Sequence, residues 1–175
     1  GEIIDLLDKK IIKDLKFPSL TFVNDPSGKM LLGIVFVMAK QYSEQLSTDI
    51  NRGNRKSVEA GAYIGDSKHG YYKDINQHLR PDGNHFALLQ EAFQRRLQGE
   101  TLTSIADFLN NSSYAKRNRQ KDKFKKPKFS KQSLSNLFGE PIYAGVNDYG
   151  KNTVDLTKIY DFIPAIPVEE FIKIN

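Results

Sequence analysis

The sequence predicts a mainly α-helical protein with small β elements, an α+β fold. One observation is a proline-free stretch from Lys29 to about Val58, in which apolar residues recur every three or four positions. Another is that residues 84–138 hold three shorter segments with the same period, separated by glycine or by polar runs. Strand-like stretches are short and flanked by turn residues. We therefore expect a long connector helix followed by a helical, helix-turn-helix-like domain.

The long predicted helix changes character along its length. Thirty residues would span roughly 45 Å at 1.5 Å per residue. Residues 30–39 are apolar on all sides, which is typical of a helix buried in a core or in an oligomer interface. Residues 40–58 keep only a thin apolar stripe, which favours a connector. Ser27 is a candidate N-cap, and a shorter amphipathic helix is predicted over residues 2–13.

The shorter helices are predicted from their periodicity and their end signals. They cover residues 84–98, 101–111 and 130–138, and a last helix covers 167–174. Gly99 ends the first of them, Thr101 or Thr103 caps the second, and Ser130 opens the third. Residues 59–72 form a glycine-punctuated loop with turns, and residues 112–129 are predicted to be a polar, lysine-rich loop.

Composition excludes several classes of function. The 175 residues include no cysteine, which excludes a disulfide scaffold, a thiol nucleophile and cysteine-ligated metal sites. Three scattered histidines lack metal-ligand spacing, and no nucleotide-binding loop or hydrolase motif is present, so we expect no metal and no cofactor. No apolar run reaches the roughly 20 residues of a membrane span. We expect a soluble, cytoplasmic protein that does not bind membranes.

Positive charge is concentrated in two segments. The net charge is +5, but residues 110–133 hold nine basic residues against one acidic residue. Residues 52–80 hold six basic and three acidic residues, and the intervening residues 81–109 are slightly acidic. Such asymmetry favours a polyanionic partner, with a solvated lysine-rich loop as the alternative.

The charge pattern and the helices together predict a nucleic-acid interface. Residues 101–111 and 130–138 resemble a helix-turn-helix with an enlarged turn, whose second helix would present polar side chains to a major groove. His69 is either a phosphate contact or a surface histidine, and Phe124 and Phe129 either stack on bases or, as we favour, dock the loop. The residues predicted to contact DNA are Arg52, Arg55, Lys56, Lys68, His69, Tyr71, Lys116, Arg117, Arg119, Lys121, Lys123, Lys125, Lys126, Lys128, Ser130, Lys131, Gln132 and Ser133.

Five motifs in order resemble the large serine recombinases. They read GAYIGDSKHGY from residue 61, LLQEAFQRRLQG from 88, TLTSIADFLN from 101, SKQSLSNLF from 130 and EPIYAG from 140. The order and spacing are similar to those of the family's "Recombinase" domain. Residues 25–53 resemble the end of the resolvase-type catalytic domain and its long helix, which mediates dimer and tetramer contacts in the family.

The resemblance implies an organisation and a function. Residues 1–58 would be a C-terminal remnant of the catalytic domain with the connector helix, and residues 59–175 the recombinase DNA-binding domain. The chain would recognise double-stranded DNA for a bacterial mobile element that integrates, excises or inverts DNA, and the full-length protein would form dimers or tetramers. Because no serine matches the family's nucleophile, we expect no activity from this chain alone. A non-specific binder of RNA or single strands, and a dimerisation module without DNA binding, remain alternatives.

Overall fold

Six α-helices and three two-stranded antiparallel sheets form the described parts of the chain. The structure, a computed structural model, describes residues 2–18, 22–118 and 123–175, without the side chains of residues 118 and 123. The helices are α1 (Glu2–Asp8), α2 (Pro26–Glu59), α3 (Gly83–Leu97), α4 (Leu102–Asn111), α5 (Lys131–Phe138) and α6 (Val168–Ile174). The paired strands are β1 (Tyr71–Lys73) with β2 (Leu79–Pro81), β3 (Lys116–Asn118) with β4 (Lys123–Lys125), and β5 (Val146–Tyr149) with β6 (Asn152–Asp155). The predicted α+β class is confirmed.

The chain divides into two compact units, residues 1–52 and residues 53–175. In the first unit, Leu7 of α1 and Leu32 of α2 are buried. The apolar residues around Leu32 are mostly exposed, with Met30, Val37 and Met38 each more than 60% exposed. Burial of residues 30–39 in a core of this unit is therefore wrong, and their burial in an oligomer interface stays a prediction.

Two helix ends in the first unit differ from the predictions. The helix predicted over residues 2–13 ends at Asp8, since Lys10 adopts a left-handed backbone with φ of 57°. The long helix begins at Pro26 instead of after Ser27. Asp25 accepts a hydrogen bond from the Gly28 amide at 2.6 Å, so its carboxylate caps the helix, and proline suits the first helical position.

Helices α3, α4 and α5 build the core of the second unit. Leu89 and Phe93 of α3, Ile105 and Leu109 of α4, and Leu134 of α5 are each at most 1% exposed. The predicted caps are present: Thr101 accepts from the Ser104 amide, and Ser130 opens α5. The three helices therefore follow from their apolar periodicity, as predicted, and α4 and α5 follow also from their N-caps.

The lysine-rich segment is not entirely a loop. Residues 116–118 and 123–125 pair as β3 and β4, with Lys116 opposite Lys125 and Arg117 opposite Phe124. The prediction of a loop over residues 112–129 was wrong because the strands carry no apolar alternation of their own. Contacts with α3 hold the pair: the Ala115 amide donates to His85 Nδ1 at 3.1 Å, and the rings of His85 and Phe124 lie 5.1 Å apart.

Ser130 and Ser133 form a reciprocal capping box at the start of α5, in which each side chain bonds the other residue's amide. We expect Ser130→Ala to lower the free energy of unfolding by about 1 kcal/mol, the usual loss for such a cap. Urea denaturation followed by circular dichroism measures the change. Ser135→Ala, an exposed position in the same helix, is the control and should leave stability unchanged or slightly higher. Equal losses in both variants would contradict a capping role.

Candidate nucleic-acid interface

A basic groove of about 570 Å³ lies between residues 59–72, which we call the glycine-rich loop, and the β3–β4 pair. Asp66, Ser67 and His69 of the loop line one side, and β3, β4 and the segment after β4 line the other. The cationic residues in its lining are Lys116, Arg117, Lys125, Lys126 and Lys128. Folding therefore brings together two segments that lie about 50 residues apart in the sequence.

A second pocket, of about 280 Å³, links this groove to α5. Its lining shares His69, Lys116 and Lys128 with the first groove and adds Ser133 and Asn136 of α5. The cations and the polar face of α5 thus lie around two pockets with shared walls, which together we call the basic groove.

His69 is a half-buried member of the groove wall. Its Nδ1 lies 2.9 Å from the Tyr114 hydroxyl, and its ring lies 5.2 Å from that of Phe129. Burial, together with the nearby cations Lys116 and Lys68, lowers the pKa of His69 to about 4. The imidazole is therefore neutral near pH 7, so it offers the groove a hydrogen-bonding group without charge.

Lys116 is more buried than Lys125, the lysine opposite it in the pair. Burial lowers its pKa, Asp66 acts to raise it, and Lys68 lowers it. Among the described residues no hydrogen bond or ion pair holds the Lys116 ammonium. A partly dehydrated cation of this kind favours an anion close by.

The other cations differ in how they are held. Lys68 pairs with Glu140 at 2.5 Å; burial acts to lower the pKa of Lys68, but the hydrogen bond to Glu140 raises it on balance. Lys126 donates to the Ser112 carbonyl at 3.0 Å. Lys125 and Lys128 are exposed, so they present their charge directly to solvent.

Several predicted contacts lie elsewhere. Tyr71 is 1% exposed and its hydroxyl donates to the Ile163 carbonyl at 2.8 Å, so the prediction that it contacts DNA is corrected to a core position. Arg52, Arg55 and Lys56 lie exposed on α2, and Arg52 pairs with Asp49 at 3.3 Å. The predicted contacts outside the described residues or side chains are Arg119, Lys121 and Lys123.

The start of α5 combines structural and exposed polar groups. The Ser130 and Ser133 hydroxyls serve the capping box, whereas Lys131 and Gln132 are exposed. Gln132 Nε2 donates to Asn136 Oδ1 at 3.1 Å. Asn136 was not among the predicted contacts, although its position four residues after Gln132 places both on one helix face.

Two acidic neighbours of the groove were missed in the sequence. Asp66 lines the groove, and Asp82 bonds Arg117 at 3.1 Å. Neither residue has a local sequence signal, because their approach to the basic segment depends on the tertiary fold. Of the two phenylalanines predicted to dock the loop, Phe129 is 5% exposed, whereas Phe124 is 50% exposed.

The described residues contain neither a membrane-spanning helix nor a cluster suited to a metal ion. None of their helices is both long and apolar enough to cross a membrane. No three histidine, aspartate or glutamate side chains in this part of the chain lie close enough to hold a metal ion.

Comparison with protein families gives one decisive match, to the Recombinase family over residues 83–175. The chain belongs to the Recombinase family. The resemblance to serine recombinases is thereby confirmed, and the matched span of this Recombinase domain runs from α3 to α6. It includes the β3–β4 pair and α5, whereas residues 66–69 of the groove precede it.

A solved structure supports the same assignment at the level of fold. The chain is similar to one in the crystal structure of an LSR–DNA complex (LSR, large serine recombinase), with a TM-score of 0.54 and 17% identity. The similarity covers 72% of this chain and 37% of the other, so this chain spans little more than a third of that protein's length. Comparison with curated proteins gives no match.

The shifted pKa of His69 predicts a pH dependence of stability. The unfolded state, with a histidine pKa near 6.5, binds more protons below that pH than the folded state, whose pKa is about 4. The contribution of His69 to the free energy of unfolding is therefore fully present above pH 6.5 and is lost as the pH falls toward 4. Between pH 7.5 and pH 5 we expect His69 to account for a loss of about 2 kcal/mol.

Urea denaturation of the wild type and of His69→Gln at both pH values isolates this contribution. The glutamine variant should lose about 2 kcal/mol less than the wild type over the same interval, whatever its stability at pH 7.5. Equal losses in the two proteins would show that His69 is not the group responsible.

Proposed function

We propose that the chain is the DNA-binding part of a serine site-specific recombinase and recognises the DNA of a recombination site. The observation that carries this proposal is the convergence of Lys116, Lys125 and Lys128 in one groove that continues to the polar face of α5. Membership of the Recombinase family supports it. So does the similar fold in a complex of a large serine recombinase with DNA.

The groove would contact the DNA backbone and α5 the bases. Exposed lysines neutralise phosphates without reading sequence, which fixes position and register. Lys131 and Gln132 then face base edges from the first turn of α5, with α4 and α5 acting as a helix-turn-helix that has an enlarged turn. The neutral His69 donates or accepts a hydrogen bond at the groove wall.

The organisation proposed for the chain follows the same function. Residues 59–175 act as the DNA-binding domain, and residues 1–58 as the end of a resolvase-type catalytic domain with its connector helix. Arg52, Arg55 and Lys56 contact DNA next to the site read by α5, at the minor groove or its phosphates. The exposed apolar residues of α2, such as Met38, join copies of the full-length protein in dimers or tetramers.

The proposed setting is the integration, excision or inversion of a mobile element's DNA in a bacterial cytoplasm. Cleavage by a serine nucleophile belongs to the whole recombinase, and for this chain we propose recognition without cleavage. For this recognition we propose neither a metal ion nor a nucleotide cofactor.

Binding of RNA or single strands is the second candidate, because the Phe124 ring is half exposed beside the lysines and could stack on a base. The contacts of both phenylalanine rings favour duplex DNA instead, because rings that pack on protein side chains are less available to stack on bases. The Phe124 ring lies against Arg117 and His85, and Phe129 is buried against His69 and Tyr114. Competition of labelled duplex DNA with equal lengths of duplex RNA and single-stranded DNA decides between the candidates.

Fluorescence anisotropy of a random 40-base-pair duplex at several salt concentrations tests the backbone contacts. We expect affinity to fall steeply with salt for the wild type. Lys125→Glu/Lys128→Glu should weaken binding to every sequence and reduce the slope of log affinity against log salt by about two, roughly one unit for each lost phosphate contact.

Lys151→Glu/Lys173→Glu is the matched control, since both lysines are exposed in the second unit and neither lines the groove. It makes the same change in net charge and should retain most of the slope. Equal effects of the two double variants would assign binding to net charge instead of to the groove. Absence of wild-type binding at low salt would contradict the proposed function.

Gln132→Ala tests the proposed contact with bases. Because Gln132 is exposed and outside the capping box, we expect its loss to relax preference at one or two base pairs, by about 1–3 kcal/mol, with the salt slope unchanged. Selection from a randomised duplex library, followed by titration of the preferred sequences, measures the preference. Gln98→Ala, at an exposed position after α3 that lines neither pocket, is the control. An unchanged preference would remove Gln132 from the base contacts.

A further inference from the structure

Arg117 is surrounded by groups that hold a guanidinium in place. Its Nη2 donates to Asp82 Oδ1 at 3.1 Å. The guanidinium carbon lies 5.2 Å from the ring centroid of Tyr72 and 5.2 Å from that of Phe124. Arg117 thus contacts β1 through Tyr72, the residue before α3 through Asp82, and β4 through Phe124. Planar arginine suits both the stacking and the bond to a carboxylate.

Asp82 is the fixed end of this contact. It is 8% exposed and directly precedes α3, a position where an aspartate side chain usually caps the helix. The Asp82 carboxylate makes no capping hydrogen bond, and bonds Arg117 instead. Its backbone amide donates to the Gly70 carbonyl at 2.9 Å, which ties Asp82 to the glycine-rich loop on the other side of the groove.

The β3–β4 pair needs such an attachment. Each described strand has only three residues, and an isolated two-stranded sheet is marginally stable in water. The pair nevertheless carries Lys116 and Lys125, and the chain leaves β4 directly into Lys126 and Lys128. The position of the groove cations therefore depends on what fixes these two strands to the core.

We propose that Arg117 and Asp82 form a strut that holds the β3–β4 pair against the core and so positions the groove lysines for DNA. Arg117 is then a positioning residue, and its charge is engaged by Asp82 instead of by a phosphate. The inference rests on the proposed function, because positioning is measured through DNA binding.

Asp82 and Asp66 separate this role from simple electrostatics. Both are acidic residues beside the groove, but Asp66 is exposed in its lining, whereas Asp82 is buried in the strut. Removing either negative charge reduces repulsion of a polyanion, so electrostatics alone predicts tighter DNA binding in both cases. The strut predicts that the two changes have opposite effects. Loss of the Asp82 charge weakens DNA binding, because it releases the strands that carry the lysines, whereas loss of the Asp66 charge does not.

The experiment compares duplex DNA affinity, by fluorescence anisotropy, in Asp82→Asn, Asp66→Asn, Arg117→Gln and the double variant Asp82→Asn/Arg117→Gln. We expect Asp82→Asn and Arg117→Gln each to weaken binding by about tenfold, the loss typical of one or two phosphate contacts. The double variant should bind no more weakly than either single variant, because both changes remove the same contact. Asp66→Asn should bind as tightly as the wild type or more tightly.

A second readout reports on the strands directly. Hydrogen exchange of the backbone amides in residues 115–118 and 123–126 should become faster in Asp82→Asn and Arg117→Gln, but not in Lys125→Glu. Phe124→Leu removes one stacking ring at a half-exposed position and serves as a milder variant if Asp82→Asn does not fold. It should show the same two effects in smaller degree.

The outcomes distinguish the strut from the proposed function. If the wild type binds DNA and Asp82→Asn binds as tightly or more tightly, with unchanged exchange, the strut is wrong and the function stands. If Arg117→Gln weakens binding while Asp82→Asn does not, Arg117 is a phosphate contact and the strut is again wrong. If the wild type does not bind duplex DNA, the function fails, and positioning for DNA fails with it.

Discussion

The glycine-rich loop lies directly against α3 at Gly70, where an added Cβ would come within 2.8 Å of Leu89 Cδ2. Gly70 also has a φ of +75°, a conformation that other residues adopt only with strain, so two constraints select glycine at one position. The Gly70 carbonyl accepts the Asp82 amide, and the next residue back, His69, contacts Tyr114. This close approach fixes one wall of the basic groove to the same core that carries α3, α4 and α5. A larger residue at Gly70 would therefore displace this wall of the groove without changing any of the groove's charges.

Bringing like charges together in the groove has an electrostatic cost, and the neighbouring carboxylates offset it unevenly. Glu140 pairs with Lys68, and Asp82 pairs with Arg117, so these two cations are largely compensated. Lys116 is half-buried near the uncompensated part of the groove, and its lowered pKa reflects that burial. A bound polyanion would relieve the repulsion between the remaining lysines. The free protein is therefore organised at some cost to its own stability, which is typical of a preformed binding surface.

Much of the helical structure could be predicted from the sequence, because the apolar period and the capping residues of a helix lie within the helix or next to it. Apolar period and the serine at position 130 were sufficient to locate α5 to within one residue, and the same applies to α4 and Thr101. The β3–β4 pair could not be predicted, since its three-residue strands contain no apolar alternation and depend on His85 and Asp82 from α3 and its start. Tyr71 was misassigned for a related reason: a tyrosine beside a lysine and a histidine looks polar in sequence, while the fold buries its ring in the core and satisfies its hydroxyl with a carbonyl.

The number of basic residues in a segment therefore does not give their contributions to anion affinity, because these depend on burial and pairing. Exposed cations such as Lys125 and Lys128 are screened by salt, and in the proposed complex each would add affinity in proportion to the phosphates it meets. A half-buried cation such as Lys116 is screened less, because part of its hydration is already lost. A compensated cation such as Arg117 adds little net charge, yet it links three elements of the fold. The segment's high positive charge thus conceals distinct physical roles, and burial and pairing, rather than residue type, determine which role each cation has.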